Sequence, residues 1–243
     1  DFTDLALNTG TGSGSDTVVI DTKNPTVTTL NITDDSLDDG DNESKVTIQF
    51  SEEVSGFAID DLTSSEGTFK DFAQGIDAAN YTVTFTAKDD IENLESKVTV
   101  GTGYTDSGGN PGESGTGTVK IDTLIPTITS LDIVDGSLSD GDDNSTVDIQ
   151  FSEPVTNFTI TDLTVSQGKL SNLLVDPKDD TKYTVIFTAE DNTDSTGTVA
   201  LVGTDFTDLA LNTGTGSGSD TVVIDTKNPT VTTLNITDDS LDD

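Results

Sequence analysis

Cysteine, histidine, methionine and tryptophan are absent from this chain, and each absence closes a route to function. Without Cys there is no disulfide staple, no thiolate nucleophile and no thiolate-bound zinc. Without His the commonest general base and transition-metal ligand is missing, so no Ser, His and Asp set can be assembled. Basic residues are scarce: Lys and Arg together number 10 against 46 Asp and Glu, a formal charge of -36. That sign repels a phosphate backbone, so nucleic acid is not an expected partner. No run of eighteen apolar residues and no charged-then-apolar leader occurs, so this segment is expected to make no membrane contact, and it reads as an internal window of a longer protein. Paired carboxylates can cleave glycosides, but aromatics are 5% of the chain and form no sugar-stacking platform. The chain is not expected to be an enzyme.

What is present is repetition. Residues 1–39 recur without a change at 205–243. A weaker copy lies between them: IDTKNPTVTTLNI at Ile20 is echoed by IDTLIPTITSLDI at Ile121, and QFSEEVSGF at Gln49 by QFSEPVTNF at Gln150. Fixed self-similarity of this length signals an array of like domains. Residues 1–20 read as the last strand of one repeat, 21–121 and 122–224 as two whole repeats, and 225–243 as the first strand of another.

Within each repeat the apolar residues alternate as strands require. Val46, Ile48 and Phe50 do so in KVTIQFS, Tyr81, Val83 and Phe85 in YTVTFTA, and Val98 and Val100 in KVTVG. Val147, Ile149 and Phe151, then Tyr183, Val185 and Phe187, then Val199 and Leu201 repeat the pattern. With PTVTTLNI, GFAIDDLT, GTFKDF and TGTVKI the first repeat reads as seven strands, bounded by Gly, Asp, Asn and Ser clusters. Seven short strands per repeat predict an all-β fold of tandem Ig-like antiparallel sandwiches, placed end to end. The Cys pair and buried Trp of antibody domains are missing, so the likeness is to the architecture alone.

The carboxylates fall in loops, and the loop order of a sandwich decides which can meet. The end where the second repeat begins carries Asp122 in the linker, Glu153 after the QF turn, and Asp208 with Asn212 in TDLALN. The far end of the first repeat carries DDSLDDGDNES, with Asp34, Asp35, Asp38, Asp39 and Asp41, and KDDIENLE, with Asp89, Asp90 and Glu92, and the short linker must bring these two acidic rims close. Asp140, Asp142 and Asp191 occupy the corresponding loops of the second repeat. Crowded carboxylates repel unless a cation sits among them, and hard oxygen donors suit Ca²⁺ better than Mg²⁺, which demands tighter octahedral geometry. The linker residues Asp21, Asp122 and Asp225, each in the recurring IDT, are the leading candidates for such ligation. The competing reading of any single Asp is a solvated acidic surface, as in salt-adapted proteins. An EF-hand is not present: DSLDDG from Asp35 has Leu37 at the third loop position and Val46 at the twelfth. TGSGSDTVV at Thr11 and Thr215 fits most of a calcium-binding nonapeptide, but a solenoid needs several in tandem.

The linker IDTKNPTVTTLNI, the turn QFSEEV and the loop TDLALN together resemble the tandem bacterial Ig-like repeats of giant RTX-type surface adhesins, over the whole chain. The resemblance implies an extracellular, cell-anchored fibre on a bacterial surface, with this segment as an extender whose partners are neighbouring repeats. The adhesion target is then bound elsewhere in the full-length protein. It also implies Ca²⁺ at the junctions, held by Asp122, Glu153 and Asp208 and, one repeat earlier, by Asp21, Glu52 and Asp106. Without the ion the acidic rims repel and a short linker swivels; with it the array stiffens. The alternative is that the repeats are themselves adhesion modules for a glycan, a cell or ice.

Overall fold

The computed structural model describes residues 2–202 and 205–237. The strands in chain order are β1 (Val27–Ile32), β2 (Ser36–Asp38), β3 (Glu43–Phe50), β4 (Leu62–Thr63), β5 (Gly67–Gln74), β6 (Asn80–Ala87), β7 (Glu92–Val100) and β8 (Gly115–Asp122), followed by their counterparts. Those are β9 (Ile128–Ile133), β10 (Ser137–Ser139), β11 (Asn144–Phe151), β12 (Leu163–Ser166), β13 (Gly168–Asp176), β14 (Asp179–Ala189), β15 (Asp194–Val202) and β16 (Ser217–Asp225). Among the described residues there is no α-helix.

Both repeats build the same pair of four-stranded sheets, in the orders β1-β3-β6-β5 and β2-β8-β7-β4, then β9-β11-β14-β13 and β10-β16-β15-β12. Alternation dictates the core. Along β11 the buried apolar residues are Val147, Ile149 and Phe151, and across the sandwich they join a core with Val199 and Leu201 of β15 and Val222 and Ile224 of β16. In the first repeat, edge-to-face contacts join Phe50, Phe57 and Tyr81, with Phe50 and Phe57 ring centroids 5.0 Å apart.

Two features depart from the expected seven antiparallel strands. GFAIDDLT forms a 3₁₀ turn at Ile59–Asp61 and then a two-residue strand. The reason is local: Asp61 Oδ2 accepts the Ala58 amide at 2.9 Å, and Thr159 donates likewise to Asp162 Oδ2 at 2.6 Å, giving the backbone an alternative to the ladder. The second departure is a short added strand: β2 runs parallel to β8, with Leu37 opposite Ile121 and Asp38 opposite Asp122, and β10 does the same with β16.

By contacts the chain divides into two compact units. One comprises Asp1–Asp35, Glu43–Thr86 and Ser96–Val119; the other comprises Ser36–Asn42, Ala87–Glu95 and Lys120–Asp243. The turn 36–42 and the segment 87–95, though they belong to the first repeat by sequence, pack within the second unit.

The duplicated ends behave differently from their internal copies. By sequence, residues 1–20 correspond to a last strand and 225–243 to a first one. Among the described residues neither forms a strand beyond Asp225 at the end of β16, and 238–243 lie outside them. DTVVID at 220–225 is strand because β15 and β10 flank it, whereas the same six residues at 16–21 have neither neighbour. Phe206 is 0% exposed and its copy Phe2 is 66% exposed.

Candidate metal centre

Strand β8 delivers Asp122 to the linker between two buried residues, Ile121 and Thr123. Glu153 follows the buried Phe151 in the turn after β11, and Asp208 follows the buried Phe206. One carboxylate oxygen from each of Asp122, Glu153 and Asp208 lies within 4.8 Å of the others. Asp21, Glu52 and Asp106 make a second trio with the same spacing, so the structure brings together both sets of three that the sequence placed at the linkers.

The loop that carries Asp208 is built by its own hydrogen bonds. Oδ1 accepts the amides of Ala210 and Asn212 at 2.8 and 2.9 Å, and Oδ2 accepts the Asn212 carboxamide at 2.7 Å. The same closure occurs at Asp106 with Asn110 and at Asp4 with Asn8. At Asp106 those bonds, the Asn110 side chain first, hold the carboxyl below its ordinary range. Closing the turn needs a left-handed residue one place before the Asn: Leu7 at φ 64°, Gly109 at φ 82° and Leu211 at φ 75°. A leucine there is strained and, being exposed, gains little from burial. Leu211→Gly is therefore expected to stabilise the protein by about 0.5–1 kcal/mol, read as a higher urea midpoint; an unchanged or lower midpoint refutes the strain.

Asp122 Oδ1 and Glu153 Oε1 are buried and accept no hydrogen bond. Burial pushes the Glu153 carboxyl up to about 7, helped by the charges of Asp208, Asp122 and Glu92. Burial likewise raises Asp122, with Asp208, Glu92 and Asp38 adding to it. Two buried oxygens without donors, on carboxylates that cluster with Asp208, fit a hard cation that takes oxygen ligands. Thiol- or imidazole-seeking metals find no ligand here.

The other candidates are placed differently. Asp39 contributes its backbone amide, donated to Asn212 Oδ1 at 2.6 Å. Asp41, Asp89, Asp90, Asp140, Asp142, Asp191 and Asp225 are exposed, and among the described residues none belongs to a carboxylate trio. The sequence counts Asp38 and Glu92 among the loop carboxylates expected near the linker but not among its ligands, and both charges act on Asp122; nothing in it marks the three-residue strand that sets Asp38 beside Asp122. Sequence reasoning also gave no role to Asn110, although the Asp-x-x-x-Asn spacing recurs at Asp4, Asp106 and Asp208 and was there to be read.

Sandwiches repeated in tandem, with clustered carboxylates at loop ends, define a modular all-β protein of the immunoglobulin-like class. The chain belongs to the bacterial Ig-like domain family, which matches it twice, over residues 21–124 and 122–224. No curated protein matches it. Among solved structures it is similar to the Yersinia pseudotuberculosis adhesin InvE, at 14% identity and a TM-score of 0.33, covering 81% of this chain and 58% of that one. It is also similar to the I9–I11 tandem of titin (8% identity, TM-score 0.27, covering 84% and 67%). A marsupial T cell receptor is a third such structure, at 12% identity and a TM-score of 0.25, covering 84% and 98%.

Proposed function

We propose that the chain is an extender segment of a large repetitive bacterial surface adhesin, of the RTX-type kind its linkers resemble. In this reading it lies outside the cell, and Ca²⁺ bound at successive linkers stiffens the array that projects a distal adhesive region. The observation that carries this reading is the pair of buried oxygens without donors, Asp122 Oδ1 and Glu153 Oε1, the first of them on a linker residue shared by the two family matches.

A bound Ca²⁺ supplies the positive charge that lets these carboxylates stay ionised together. Asp208 enters the site already oriented by the Asn212 loop, and Asp122 is fixed by the strand that ends on it. Glu153 faces the like charges of Asp208, Asp122 and Glu92, so it has the most to gain from a cation's charge. Extracellular sites of this type bind at about 10⁻⁴ to 10⁻³ M, so they fill outside the cell and empty inside it. Binding to the folded form alone also raises stability by mass action.

Small-angle scattering across a calcium titration tests the reading. The maximum dimension is expected to rise and flexibility to fall near millimolar Ca²⁺, with no response to Mg²⁺ and none in Asp122→Ala. A profile indifferent to Ca²⁺ would leave the acidic rims as solvated surface.

A further inference from the structure

The linker residues 122–124 are tied down by groups that need no ion. The Thr123 side chain is 1% exposed, and its hydroxyl donates to Lys88 O at 2.8 Å and accepts the Ile91 amide at 3.0 Å. The Thr123 amide in turn donates to Ile91 O at 2.7 Å. One period later Thr226 repeats the set with Glu190 and Thr193, at 2.7 Å to Glu190 O and 3.0 Å from the Thr193 amide.

On the other side stands Asn212, 2% exposed. Its carboxamide nitrogen donates to Asp122 O at 2.7 Å and Leu124 O at 3.2 Å besides Asp208 Oδ2, while its oxygen accepts the Asp39 amide. Asn110 repeats the linker bond, its carboxamide reaching Asp21 O at 3.2 Å. A buried carboxamide with all its donors and its acceptor engaged across three stretches of chain has one orientation open to it.

We infer that Asn212 and Thr123 form a metal-independent latch on the linker, in which Asn212 is a positioning residue holding both the Asp208 carboxylate and the backbone of Asp122 in register for an ion. The inference rests on the proposed cation site only for what the latch serves. The backbone of residues 122–124 is then already held before the ion arrives. Carboxylate repulsion strains the latch, cation binding relieves that strain, and the bonds that define the geometry are already made.

Amide hydrogen exchange on this chain in excess EDTA separates the latch from the cation reading. The Asp39, Ile91 and Thr123 amides are expected to be protected at least about tenfold without metal, which corresponds to an opening constant of about one in ten. Asn212→Ala should release Asp39 and leave Ile91 protected; Thr123→Val should release Ile91 and leave Asp39 protected. Calorimetric titration adds a reading that general loosening does not give. Asn212→Ala should weaken Ca²⁺ at the Asp122 trio by about ten- to a hundredfold and leave the Asp21 trio unchanged, with Asn110→Ala giving the converse. If the three amides exchange freely in EDTA and are protected only by Ca²⁺, the latch is overturned and the calcium site stands. If they are protected in EDTA and Ca²⁺ neither binds nor alters anything, the latch stands and the extender reading falls.

Discussion

In EDTA, the protein is expected to resist urea better at about pH 5.5 than at about pH 8, the reverse of ordinary acid denaturation. Glu153 is the reason. Its carboxyl sits at about 7 in the folded protein against an ordinary 4.5. Between those values the folded state holds a proton that the unfolded state has released, so stability falls as pH rises and levels off above about 7. The raised value alone would correspond to about 3 kcal/mol, but Glu153 is partly open to water, and screening reduces this to about 1–2 kcal/mol. The overall charge of -36 also repels less at low pH, so the wild-type slope mixes two causes. Glu153→Gln isolates one of them. In EDTA at about pH 8 the variant should exceed the wild type by those same 1–2 kcal/mol, the gap closing toward about pH 5, and it should lose most of the stabilisation by Ca²⁺. A variant less stable than wild type at about pH 8 would show that Glu153 is not carrying a repelled charge.

One residue type in one local sequence should give two opposite results. Phe206→Ala is expected to destabilise by about 3–5 kcal/mol, whereas Phe2→Ala should change the urea midpoint by less than about 0.5 kcal/mol. Both phenylalanines open the string FTDLALNTG. Phe206 is enclosed: its ring centroid stands 4.9 Å from that of Phe151 and 6.5 Å from that of Phe158, whereas Phe2 is largely exposed. Removing the ring leaves a cavity among Phe151, Phe158 and the loop that carries Asp208, so the loss should also weaken the carboxylate trio. Equal effects at the two positions would mean that the N-terminal copy is packed as tightly as the internal one.

Much of this was legible beforehand because the signals are periodic. Val147, Ile149 and Phe151 announce their sheet face by alternation alone, and Asp122, Glu153 and Asp208 follow from placing loops at the ends of a sandwich. What escaped was governed by contacts between distant residues. Leu37 and Leu138 are single buried side chains in three-residue strands, too short for any period to show. GFAIDDLT has the composition of a strand, yet Asp61 bonds its own backbone and bends it into a turn. Thr123 and Asn212 sit in stretches singled out for their aspartates, and their part in the site becomes visible when the acceptors Lys88 O, Asp122 O and Leu124 O are in place.

The last strand of each repeat runs straight into the residue that carries the charge. β16 ends on Asp225 with nine registered pairs to β15 and three more, running parallel, to β10. A force applied along β16 would load its hydrogen bonds to both neighbours together in shear instead of peeling them one at a time. A molecule held at both ends in flowing water would resist extension through that arrangement, and its lifetime under load would be set by the rate at which a whole strand slips.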